Sequence, residues 1–81
     1  MGVPPEKQMA RIRLEKRKKG KWVTTVRDLA ASGDHLPRLL TRLKQHCGAG
    51  GTLEDGIIEV QGDHLQRVAD FLKQAGYRIA K

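Results

Sequence analysis

Apolar positions along this chain change period several times, and each change marks an element. From Arg11 to Lys16 they alternate: Ile12, Leu14 and Lys16 share one side, Arg11, Arg13 and Glu15 the other. A period of two predicts a strand with one buried face. Beyond a basic turn around Gly20, residues 22–26 are rich in aromatic and β-branched types and predict the returning strand of a hairpin. Trp22, Val23 and Val26 do not share a parity, so which face of this strand is buried stays open. Residues 29–33 form a connector.

The period then lengthens. Leu36, Leu39, Leu40, Leu43 and Cys47 recur at helical spacing, with Asp34 placed as N-cap, Pro37 in the first turn and Gly48 at the stop. Arg38, Thr41, Arg42 and Lys44 fall mainly on the outer side. After a glycine loop over residues 48–51, residues 52–54 and 57–61 flank Asp55-Gly56, a pair suited to a type I′ hairpin turn. Gly62 breaks the strand. Asp63 with Gln66 three residues on has the form of a capping box. It opens a second helix lined by Leu65, Val68, Phe71, Leu72 and Ala75 and ended by Gly76. Residues 77–79 suffice for a last strand. The order ββαββαβ, with one apolar stripe per helix, is satisfied most economically by an α/β two-layer sandwich of five strands and two helices.

Composition sharpens this picture through its charge. The 81 residues make one small domain, 38% apolar and 31% charged, with a net charge of +7. The excess is local. Between residues 7 and 27 the cations Lys7, Arg11, Arg13, Lys16, Arg17, Lys18, Lys19, Lys21 and Arg27 face only Glu15, while the later chain is nearly balanced. Like charges crowded on a tight turn repel one another, and a polyanion relieves them with release of counterions, so nucleic acid is the leading partner. Residues 1–10 are expected to be a flexible lead-in and residues 11–81 a single domain. With Cys47 as the sole cysteine there is no internal disulfide and no multi-cysteine metal site, which suits a reducing, cytoplasmic setting. No apolar run approaches the ~18 residues of a membrane helix, and the basic segment is a hairpin rather than an amphipathic helix, so no membrane partner is expected.

Other chemistry finds little support. The glycines of residues 48–51 lack the Lys-Ser/Thr pair of a phosphate loop, since Thr52 and Leu53 follow. His35, His46 and His64 have no metal-ligand spacing, and no acid, base and nucleophile can be assembled. No enzyme activity, metal or cofactor is expected. Trp22 could stack on a base. It is read instead as a strand residue packing on the hairpin or the core, because the aromatic–basic interleaving of a stacking platform is otherwise missing. Phe71 is expected in the core, Cys47 half-buried on its helix, and Tyr77 is open.

Several blocks in order carry a family resemblance. They are Ile-Arg-Leu, a basic Gly-containing turn and Val-Thr-Thr-Val over residues 12–26, then the Leu-rich basic helix into Cys-Gly-Ala-Gly-Gly at 47–51. The most specific is Thr-Leu-Glu-Asp-Gly-Ile-Ile-Glu-Val-Gln-Gly-Asp at 52–63, leading into Phe-Leu-Lys at 71–73. From about Arg11 to Ala80 the chain resembles the translation initiation factor one family, which includes the eukaryotic and archaeal factors and the bacterial YciH-like proteins. The blocks are closer to the bacterial and archaeal branch. The resemblance implies a five-stranded mixed sheet with both helices packed on one face. It also implies binding to small-subunit ribosomal RNA near the P site, with the initiator tRNA–mRNA complex as a further partner, and an influence on start-site selection. By motif match, the RNA contacts would be Lys16, Arg17, Lys18, Lys19 and Lys21, supported by Arg38, Arg42 and Lys44. A monomer is expected. Two rivals stand beside it: a general RNA-binding or stress-linked translation modulator without a role in start selection, and a protein-interaction module using the open sheet face or an edge strand.

Overall fold

The computed structural model describes residues 7–30 and 34–80. Strands β1 (Met9–Lys16) and β2 (Trp22–Arg27) form the first hairpin. Helix α1 (His35–Cys47) follows, then β3 (Gly51–Glu54), β4 (Ile57–Gln61), helix α2 (Leu65–Gln74) and β5 (Arg78–Ile79). The sheet order is β3-β4-β2-β1-β5, antiparallel except where β5 runs alongside the start of β1. It is the mixed five-stranded sheet with two helices that the element order and the family resemblance implied.

Register divides the sheet into two unlike faces. Ile12 stands opposite Val26, Leu14 opposite Thr24, and Val26 and Thr24 in turn opposite Ile58 and Val60. This face receives both helices, α1 over β3 and β4, α2 over β1 and β5. Leu36, Leu39, Leu43 and Cys47 of α1 meet Val68 and Leu72 of α2 above Val26, Ile58 and Val60 to form the core. Each such Leu, Ile or Val taken fully out of water stabilises the fold by about 1.5–3 kcal/mol. The opposite face carries Arg13, Glu15, Thr25, Arg27 and Glu59, and their long side chains cover it in place of a helix.

The central position of β2 resolves its mixed parity. Val23, Thr24, Thr25 and Val26 are all buried, Thr24 and Val26 under the helices, Val23 and Thr25 under the polar cover. The second hairpin follows its sequence signal, with Asp55 at φ +52° and Gly56 at +77°, the two positive-φ positions of a type I′ turn. Gly51 belongs to β3 rather than to the preceding loop. A Cβ there would stand 2.5 Å from the Glu59 carbonyl oxygen and 3.1 Å from Leu40, so only glycine lets α1, β3 and β4 approach this closely.

Local expectations fail where tertiary contacts replace them. Neither helix start has a side-chain cap: Asp34 leaves α1 uncapped, and the Asp63–Gln66 box does not form. The Thr24 hydroxyl instead accepts the His64 N–H at 2.9 Å and bonds the Gly62 carbonyl at 2.9 Å, tying the start of α2 to the sheet. Gln66 turns to Asp70. Leu65, expected in the core, is exposed in the first position of α2. Phe71 is half-buried between the helices, near Arg42 and His46 of α1.

The sheet also begins earlier than expected. Met9 and Ala10 belong to β1, Ala10 is fully buried, and the buried Gln8 accepts the Arg78 N–H and, through its side chain, the Ala30 N–H. Pairing with β5 thus draws residues 8–10 out of the supposed lead-in. The rest of that lead-in through residue 6, and residues 31–33 of the connector, lie outside the described residues.

Candidate nucleic-acid interface

The β1–β2 tip is built from the end of a ladder. Lys16 and Trp22 form its last pair, and Arg17 N–H donates to the Lys21 carbonyl at 2.6 Å to close the turn. Lys18–Gly20 make the bend, with Lys19 at φ +65°. Lys16, Lys18, Lys19 and Lys21 are exposed, and none has an acidic partner among the described residues. Four exposed ammonium groups on one turn, without carboxylate partners among the described residues, suit multivalent contact with phosphates.

Arg17 behaves differently from its neighbours. Its guanidinium folds back over the open sheet face, 2.7 Å from Glu15 and 3.2 Å from Glu59. Glu15 is the hub: its other oxygen accepts Arg27 at 2.9 Å and the Thr25 hydroxyl at 3.2 Å. The hydrogen bond from Arg17 holds the Glu15 carboxyl below its ordinary value against the opposing cost of desolvation, with Thr25 and the nearby charges adding to it. Reciprocally, Glu15 and then Glu59 raise the Arg17 pKa. Arg17 therefore braces the base of the tip, and its charge is locally neutralised.

The helix cations form a separate group. Exposed Arg38 lies 3.8 Å from Asp34 in the first turn of α1, and exposed Arg42 has its guanidinium 5.7 Å from the Phe71 ring. Lys44 is half-buried on the other flank, its stem against Gly51. Helix α1 runs toward the hairpin-tip end of the sheet, since Gly50 just beyond it accepts Gln61, whose partner is Val23. Lys44 is thus the helix cation nearest the tip end and Arg38 the farthest. The eight cations divide into a tip cluster and a helix group.

Trp22 sits at the tip with 45% of its surface exposed, and the Lys16 ammonium is 5.8 Å from its ring centroid. It packs on the hairpin and does not enter the core. The bracing of Arg17 by Glu59 has no sequence signal, because it depends on the register of β4 against β2. The remaining candidates have structural surroundings: the hydroxyl of the buried residue Tyr77 is 2.8 Å from His35 Nε2, His46 packs near Phe71, and burial pushes the Cys47 thiol up. No helix among the described residues is long and apolar enough to cross a membrane.

The family model for translation initiation factor SUI1 matches residues 6–78. A protein translation factor SUI1 homolog of Sulfurisphaera tokodaii is 40% identical over 84 residues, covering 94% of this chain and 84% of its own length. The homolog of Methanocaldococcus jannaschii is 37% identical over 75 residues, covering 93% and 73%. An uncharacterized protein of Synechocystis is 39% identical over 77 residues, covering 94% of this chain and 69% of its own.

Proposed function

The chain belongs to the translation initiation factor SUI1 family, and from that premise we propose that it binds small-subunit ribosomal RNA near the P site and modulates start-site selection. The family is one of translation factors rather than enzymes, and the proposed action involves no bond-making. Lys16, Lys18, Lys19 and Lys21 would contact phosphates, Arg17 would hold the tip in shape, and Arg38, Arg42 and Lys44 would add a second, weaker contact along α1. The observation that carries the reading is the cluster of exposed lysines at the hairpin tip, which have no acidic partner among the described residues, in a chain whose charge is nearly balanced beyond residue 27. Phosphate contacts position a protein without reading sequence. Selectivity for one ribosomal site would therefore come from the spacing between tip and helix, and the effect on initiation from steric and electrostatic preference among complexes holding initiator tRNA and mRNA. The protein would act as a cytoplasmic monomer.

Co-sedimentation with purified small subunits, large subunits and an unrelated structured RNA tests this directly. Preferential association with small subunits is expected, together with a changed ratio of initiation at AUG and near-AUG codons when the protein is added to a reconstituted system. Equal association with all three RNAs would leave a general RNA-binding domain instead.

A further inference from the structure

An exposed indole stands among the tip lysines, outside the core. Trp22 is the only tryptophan of the chain and opens β2, directly after Lys21 and directly across from Lys16. By register it shares a face with Thr24 and Val26, which are sealed beneath the helices. The cover ends at Thr24, where the His64 N–H fixes the start of α2 to the Thr24 hydroxyl. Trp22 is one step past that cover, and this large apolar residue is exposed at the most cationic point of the molecule.

Its backbone, by contrast, is fixed. The Trp22 carbonyl accepts the Gly62 N–H at 2.7 Å, and the residue is laddered to Lys16. The ammonium of Lys16, 5.8 Å from the ring centroid, covers at most one of the two ring faces. An exposed aromatic face on a fixed backbone, flanked by cations, is the arrangement in which a base can stack while its own phosphate is neutralised. Val or Thr would serve a strand end equally well and would expose far less apolar surface.

We infer that Trp22 is a stacking platform for an unpaired nucleobase in the strand whose phosphates the tip lysines hold. The tip would then prefer single-stranded or flipped-out nucleotides to continuous duplex, because a paired base has no free face to offer. This inference rests on the RNA-binding reading above and adds to it the form of RNA recognised.

The sole tryptophan makes the test spectroscopic. The full chain would be titrated with an oligoadenylate, an RNA duplex of equal length and inorganic polyphosphate, with binding followed by a label on the ligand and tryptophan emission recorded in parallel. Oligoadenylate is expected to quench the emission strongly, while duplex and polyphosphate bind with little quenching. Trp22→Ala should weaken oligoadenylate binding about tenfold while leaving polyphosphate affinity and the salt slope unchanged, and Trp22→Phe should restore part of the loss. Oligoadenylate binding that leaves the emission unchanged, or that Trp22→Ala does not weaken, would overturn the stacking role and leave the phosphate contacts standing. Failure of every RNA to bind would overturn the RNA-binding reading itself and the stacking role with it.

Discussion

At the scale of single residues, adjacent cations of the same tip have different jobs. Lys18 and Lys19 are exposed and have no acidic partner among the described residues, whereas Arg17 is held by Glu15 and Glu59. Arg17→Ala should therefore lower the melting temperature while changing the salt slope of RNA binding by well under the contribution of one phosphate contact. Lys18→Ala should do the reverse, leaving the melting temperature unchanged and reducing the slope by about 0.7–0.9. Thermal melts and binding isotherms on the two variants separate these roles. Glu15 gives the same brace a pH dependence. Its carboxyl ionises more readily folded than unfolded, so its contribution is present above the unfolded value of about 4.3 and is lost as pH falls through the lower folded value. Melting temperature should drop more steeply in that acid range for the native protein than for Glu15→Gln.

At the scale of elements, two contacts decide how helices meet the sheet. Thr24→Val keeps the shape of the buried side chain but leaves the His64 N–H and the Gly62 carbonyl without their hydroxyl partner, at a cost of about 1–3 kcal/mol in denaturant unfolding. Gly51→Ala should cost a similar 1–3 kcal/mol by overpacking, because its Cβ would meet the Glu59 carbonyl oxygen, which the ladder holds in place. These contacts also mark where sequence reading stopped. The alternation of Ile12 and Leu14 and the Asp55-Gly56 turn depend on neighbours in the chain and were legible. The burial of Val23 and Thr25 depends on a second cover made of charged side chains, which no apolar pattern announces. Asp34 and Asp63 have the right residue type for caps, yet the start of α2 takes its partner from Thr24, about forty positions away, a bond that only the fold supplies.

At the scale of the whole molecule, the charge and the core are separated. The helices bury one sheet face, the polar brace covers the other, and the unpaired lysines stand at the end of the hairpin. Which residues are cationic could be read from the chain. That Arg17 is neutralised in place, that Arg38 and Lys44 lie toward opposite ends of α1, and that Trp22 stays outside the core required strand register and helix direction. Separation predicts that the tip can be neutralised without unfolding the domain: Lys16, Lys18, Lys19 and Lys21 all changed to Ala should leave the melting temperature within a few degrees of the native value. The most direct measurement is the salt dependence of small-subunit binding for the native protein and for this four-lysine variant. A slope reduced by about 3, with loss of preference for the small subunit, is the predicted result. An unchanged slope and undiminished selectivity in a folded variant would contradict the assignment of the tip as the RNA contact.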